Sequence, residues 1–184
     1  MTEAVSSDSD VQLVEAIVER ITTDLAAIID RPIEIQSVEV ERATARPAGQ
    51  AQVHVSFKLG FEGPAGRKQG CVLVPLPDAI ALASYLMMFP DDAVASKRAL
   101  DSLDSTTKDA MLELGTFAST AVEEALHGAG LDVTVRSDGC QGVRADVRPA
   151  LEYRDGEVLL VGRAIARLHD FPPFPMLVLI PEIA

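Results

Sequence analysis

Apolar residues recur at intervals of three and four near the start of the chain, at Val14, Ile17, Val18, Ile21, Leu25, Ile28 and Ile29. On a helix these positions share one face, so the spacing predicts an amphipathic helix capped by Ser9 or Asp10 and stopped by Pro32. The period then shortens to two. Ile33, Ile35, Val38 and Val40 alternate with a slip near Gln36, and Val53, Val55, Phe57 and Leu59 alternate with Gln52, His54, Ser56 and Lys58, which predicts half-buried strands. Gly60, Gly63 and Gly66, with Pro64 among them, punctuate a hairpin leading to a strand from Gly70 to Leu76. No Gly-Lys-Ser/Thr follows these glycines, and the next element is a strand, so they read as a turn in preference to a phosphate-binding loop.

Pro77 and Asp78 open a second helix, Ala79 to Phe89, whose Ala, Leu and Met residues place it in the core; Pro90, Asp91 and Asp92 close it. A short helical stretch follows from Ala93 to Leu103. The last third reads as strands at Leu131 to Arg136, Val143 to Val147, Leu151 to Arg154, Val158 to Leu168 and Met176 to Ile180, with Asp155 and Gly156 as a two-residue hairpin turn. Phe171 to Pro175 (FPPFP) is read as a rigid lead-in to the last of these. Short connections imply antiparallel pairing, and the absence of regular strand-helix alternation predicts an α+β fold with helices packed on a mostly antiparallel sheet.

A chain of 184 residues that is 48% hydrophobic can bury about 70% of the surface its unfolded form exposes, so its core needs no metal or disulfide. Residues 1–9 are expected to form a disordered acidic tail, and residues 10–184 a single domain. With 28 acidic against 16 basic residues the formal charge is −12. Such a surface repels phosphate backbones and anionic lipid, which argues against nucleic acid and membranes as partners. Met1 to Asp10 lacks the basic start and apolar core of a secretory signal, so a cytoplasmic location is expected. Cys71 and Cys140 have no second ligand at zinc-site spacing, and His54, His127 and His169 are scattered, so no metal site is expected.

The segment from Thr107 to His127, ended by Gly128 and Gly130, is the most informative. Ala110, Leu114, Phe117, Ala118, Ala121, Val122 and Ala125 take one side, while Asp109, Glu113, Thr116, Thr120, Glu123 and His127 form a polar stripe on another. Thr106 followed by Asp109 fits a capping box, and His127 suits the negative end of the helix dipole.

The stretch DAMLELGTFASTAVEEAL, Asp109 to Leu126, resembles the signature helix of the CheC, CheX and FliY phosphatases of bacterial chemotaxis: Asp or Ser, three residues, Glu, two residues, Asn, then small residues. Asp109 and Glu113 match, and Thr116 stands where the family has Asn. The preceding GCVLVPLPDAIALASYLMMF is similar to the family's glycine, apolar strand and helix. A single recognisable motif is closer to the CheX type than to members with two active faces; Glu19 and Thr22 in the first helix echo the Glu-x-x-Thr spacing.

In that family the signature helix docks on a phosphorylated receiver domain, the Glu pairs with the receiver's lysine, and the Asn orients the water that attacks the aspartyl phosphate. The resemblance thus implies a phosphorylated response-regulator receiver as partner, Glu113 and Thr116 in the catalytic positions, and Asp109, Glu113 and Thr120 as partner-binding residues. It implies no cofactor of this chain's own, the magnesium being supplied by the receiver. A threonine hydroxyl is shorter than a carboxamide and differs in donors and acceptors. Three readings therefore stay open: a phosphatase, a non-catalytic CheX-like binding module, and a scaffold with no receiver partner. A homodimer through an exposed strand edge is also expected.

Overall fold

The computed structural model describes residues 6–183. Four helices lie on a six-stranded sheet in the order α1 (Asp8–Ile29), β1 (Ile33–Ala43), β2 (His54–Gly63), β3 (Gly66–Pro75), α2 (Leu76–Leu86), α3 (Asp91–Lys97), α4 (Ser105–Gly128), β4 (Thr134–Val143), β5 (Leu159–Leu168) and β6 (Phe174–Pro181). The sheet order is β1-β5-β6-β3-β2-β4, and every pairing is antiparallel. The α+β expectation holds, and "mostly antiparallel" becomes wholly so.

Each half of the chain supplies one long helix and three strands. The hairpins β2–β3 and β5–β6 meet at the sheet centre, where Val72 pairs with Val178, and each edge strand crosses over to the other half: β1 pairs with β5, β4 with β2. The slip anticipated near Gln36 is a bulge between Ile35 and Ser37 in the β1–β5 ladder. Gly63 and Gly66 close the tight turn of the first hairpin, with Gly66 at φ +97, a backbone region that penalises a Cβ.

One face of the sheet carries the helices. Val14, Ile17, Val18, Ile21, Leu25 and Ile29 of α1 are buried in the main core with Met111, Leu114, Val122 and Leu126 of α4, whereas Ile28 is exposed. The two long helices are joined at the surface by an ion pair of Arg20 with Glu124. Both helices press close to the strands. A Cβ at Gly162 would overlap Val14 Cγ1, and a Cβ at Gly115 would lie 3.0 Å from Ser137 Oγ.

The opposite face is covered by the two crossover loops, residues 44–53 and 144–158. They interlock: Asp146 N–H donates to the Gln50 carbonyl at 2.7 Å, and Gly49 is so close to the Asp146 backbone that no Cβ fits. Beneath them lies a second small core of Cys71, Leu73, Leu151, Leu159, Val161, Leu177 and Leu179. Two expectations are corrected here. His54 and Ser56, read as the solvent side of a half-buried strand, are buried, and Ser56 donates to the Ala150 carbonyl at 3.0 Å. Leu151 to Arg154 is no strand and Asp155-Gly156 turns no hairpin; the segment is part of the loop, held because Leu151 fills the second core.

Helix ends differ from expectation in ways the caps explain. Ser7 caps α1 in a capping box with Asp10, so Asp8 and Ser9 belong to the helix; the rest of the expected tail, residues 1–5, lies outside the described residues. Asp10 also holds Arg42 of β1 through two bonds of 2.8 Å, and this guanidinium lowers its pKa to about 2. Asp104 caps α4 by accepting the Thr107 N–H at 2.7 Å, in place of the Thr106–Asp109 box. α2 spans Leu76–Leu86, ending before Met88, which has φ +64 and is 89% exposed where a core position was expected. α3 is shorter than predicted and is followed by Arg98, which pairs with the buried Asp78 at 2.6 Å and covers the Phe171 ring. Of the FPPFP run, Phe174 and Pro175 already belong to β6. The strands expected at 131–136 and 143–147 are one strand, Thr134–Val143.

No described helix is long and apolar enough to cross a membrane. No cluster of three or more His, Cys, Asp or Glu side chains suited to a metal ion is found among the described residues. Cys71 is buried with its thiol pushed up to about 12 by desolvation, and burial also raises Cys140, so both are held as thiols at neutral pH.

Candidate functional site

The polar stripe of α4 exists, and the packing divides it into two parts. Toward the C-terminus, Glu123 Oε2 accepts the backbone N–H of Val135 at 2.7 Å, and the His127 ring Nε2 lies 3.0 Å from the Val133 carbonyl. A carbonyl can only accept, so His127 donates through Nε2. These two side chains fasten the end of α4 to the segment entering β4, and are committed to the fold.

Toward the N-terminus the stripe faces solvent. Asp109, Glu113, Thr116 and Thr120 are all exposed. At about 100° per residue, Asp109, Thr116 and Thr120 fall within about 20° of one line along the helix, with Glu113 about 40° to one side. The four predicted site residues on this helix are thus brought together on one open surface. No ion pair to Asp109 or Glu113 is found among the described residues.

The hydroxyls are already partly used. Thr116 Oγ1 donates to the Leu112 carbonyl at 3.2 Å, and Thr120 Oγ1 donates to the Thr116 carbonyl at 3.2 Å. Each hydroxyl hydrogen is turned back into its own helix, leaving oxygen lone pairs toward solvent. In this rotamer Thr116 can accept a hydrogen bond from a water but has no donor left to offer it.

What holds this surface in place is the packing under it. Gly115, one residue before Thr116, faces Ser137 and Phe57, and its missing side chain lets α4 settle against β4 and β2. Ala110, Met111, Leu114 and Ala118 anchor the same turns in the core. Leu112 breaks the polar pattern: it is 45% exposed and sits among the stripe residues, a place no apolar periodicity assigns it. Its signal in the sequence is a leucine out of phase with the buried face.

The first helix does not repeat this arrangement. Glu19 is exposed, but Thr22 is buried and donates to the Val18 and Glu19 carbonyls, so the Glu-x-x-Thr echo does not form a second outward pair.

No protein-family model and no curated protein sequence matches the chain. Solved structures do match in fold. A CheC-like superfamily protein from Shewanella aligns with a TM-score of 0.61 at 10% identity, covering 92% of this chain and 97% of that one. The chemotaxis protein CheX from Desulfovibrio desulfuricans aligns at 0.58 and 15% identity, covering 92% and 99%. FliM from H. pylori, in a complex of FliG with FliM, aligns at 0.63 and 11% identity, covering 97% and 96%. The chain therefore has the CheC-like fold over nearly its whole length.

Proposed function

We propose that this chain acts in chemotaxis or two-component signalling by docking the outward stripe of α4 on the phosphorylated receiver domain of a response regulator. The observation that carries the reading is the placement of Asp109, Glu113 and Thr116 together on the exposed half of one helix, in a chain with the CheC-like fold. Glu113 supplies a carboxylate for the receiver's lysine, and Asp109, one turn away, adds a second negative charge to the same contact. Thr120 extends the contact surface by one further turn.

Thr116 occupies the position from which a water would be directed at the phosphorus. Its free lone pair accepts a hydrogen bond from that water, which orients it; the water oxygen attacks phosphorus as the bond to the aspartyl oxygen breaks, the water's protons pass to the released phosphate and to solvent, and the receiver's aspartate is restored as a carboxylate. The receiver would contribute the magnesium that neutralises the phosphoryl oxygens, and this chain the positioning.

A second reading has its own support. With its hydrogen bonded to the Leu112 carbonyl, Thr116 holds a water by one contact only, which favours a receiver-binding module that does not hydrolyse. The fold itself serves binding in H. pylori FliM, which forms a complex with FliG.

Following the lifetime of a phosphorylated receiver with this protein in excess separates the two. Hydrolysis predicts a shortened lifetime that Glu113→Ala and Thr116→Ala each return toward the unassisted value. An unassisted lifetime despite complex formation identifies the binding module, in which case Thr116→Asn is expected to create activity without changing affinity.

A further inference from the structure

We infer that Leu112 is the apolar contact of the docking surface on α4 and helps to decide which receivers the protein accepts; this rests on the receiver-directed reading above. Thr116 lies between two unlike neighbours. Around the helix, Glu113 is about 60° to one side of it and Leu112 about 40° to the other. Any partner that brings a reacting or recognised group to Thr116 therefore meets a carboxylate on one flank and a leucine side chain on the other.

Three observations make this more than a stray surface leucine, of which every protein has some. Leu112 is 45% exposed although α4 buries its other large aliphatic side chains, Met111, Leu114, Val122 and Leu126. The Thr116 hydroxyl bonds the Leu112 carbonyl at 3.2 Å, which sets the threonine rotamer one turn from the leucine side chain. Finally, the carboxylates beside it, Asp109 and Glu113, are exposed, with Lys108 the single basic residue within the first three turns of the helix.

The pattern of one apolar side chain edged by exposed carboxylates, with no ion pair to them among the described residues, fits a partner surface with the complementary chemistry: an apolar depression beside a lysine. Covering Leu112 would also exclude water from the neighbouring Glu113 contact, which strengthens a charge pair that is weak when fully hydrated. The receiver's lysine then meets Glu113, and the apolar depression beside it takes Leu112 on the far side of Thr116.

The test is affinity for a panel of purified receiver domains charged with beryllofluoride, a phosphoryl mimic, measured by titration calorimetry with the full chain. Leu112→Ala is expected to weaken binding at least about tenfold, with Leu112→Met within about threefold of the unaltered chain, since methionine refills the same depression. An exposed leucine leaves the thermal midpoint unchanged on truncation, which separates lost contact from lost folding. Binding by Leu112→Ala within twofold of the unaltered chain overturns the inference while leaving the receiver-directed reading intact. If the unaltered chain binds no charged receiver, both fall together.

Discussion

The carboxylate of Glu123 accepts the backbone N–H of Val135 at 2.7 Å, tying the last turns of α4 to the start of β4. Val135 lies on the edge strand β4, and its N–H, partly shielded from solvent, takes Glu123 as its partner. This bond accounts for one end of the polar stripe by folding alone; among the described residues, Asp109, Glu113, Thr116 and Thr120 make no side-chain bond beyond their own helix.

Glu123→Ala is therefore expected to destabilise by roughly 1–3 kcal/mol, as for losing a hydrogen bond to a charged group, lowering the thermal midpoint by about 2–4 °C for each kcal/mol. Glu123→Gln keeps an acceptor oxygen and should recover most of it. Receiver affinity should be the same for both variants once folded. Thermal melts alongside binding titrations check this.

Gly162 faces Val14 with no room for a methyl group. Gly162→Ala should cost about 1–3 kcal/mol by overpacking, and adding Val14→Ala should cost less than the sum of the two single changes, because the smaller side chain relieves the overlap. Urea denaturation of the two single variants and the double variant measures the coupling. Strict additivity would show that α1 shifts away from β5 without strain.

Met88 sits one residue past the helix cap of α2, where Phe89 N–H bonds the Ser84 carbonyl and Met88 N–H the Tyr85 carbonyl. This is the helix-ending pattern that favours glycine, yet a methionine adopts φ +64 there. Met88→Gly is expected to stabilise the fold by about 1 kcal/mol, read as a raised thermal midpoint.

His54 is 1% exposed, and desolvation lowers its pKa from the ordinary 6.5. Its Nδ1 lies 3.3 Å from the Gln52 carbonyl and its Nε2 has no partner among the described residues, so the ring is held neutral with the hydrogen on Nδ1. Below pH 6.5 the unfolded chain takes up a proton that the folded chain resists, so stability is full above that pH and falls as the pH drops toward the folded-state pKa. Replacing His54 with Gln should flatten the stability profile below pH 6.5, measured by urea midpoints in a series descending from neutral pH. An unchanged slope would show that the ring titrates as freely in the fold as outside it.

Much of this fold is written in local pattern. The three-and-four spacing located α1 and α4, and the period-two runs located β1 and β2, even to the bulge beside Gln36. Periodicity reports that a face is buried without saying what covers it. His54 and Ser56 look polar and solvent-facing in the sequence, and only the two loops crossing behind the sheet bury them: His54 lies against Gln52 of one, and Ser56 bonds Ala150 of the other. The same crossing turned Leu151 to Arg154 from an expected strand into a loop, because a leucine that fills a small second core has the same local signature as one in a strand.

The site shows the same division. Spacing put Asp109, Glu113, Thr116 and Thr120 on one stripe, and the structure keeps them there. Which stripe residues are spent on the fold could not be read, since the partners of Glu123 and His127 are backbone groups of the next segment. Leu112 was hidden for the opposite reason: an isolated apolar residue out of phase carries no meaning until its exposure is known.

The receiver-directed reading is tested most directly by titrating the full chain against purified receiver domains with and without beryllofluoride, in parallel for the unaltered protein and Glu113→Ala. At least one receiver should bind the unaltered chain only when charged, and Glu113→Ala should weaken that binding by about tenfold or more, as expected for removing one partner of an interfacial charge pair. Receivers that bind equally with and without beryllofluoride, or a Glu113→Ala variant that binds the charged form as tightly as the unaltered chain, would contradict the account.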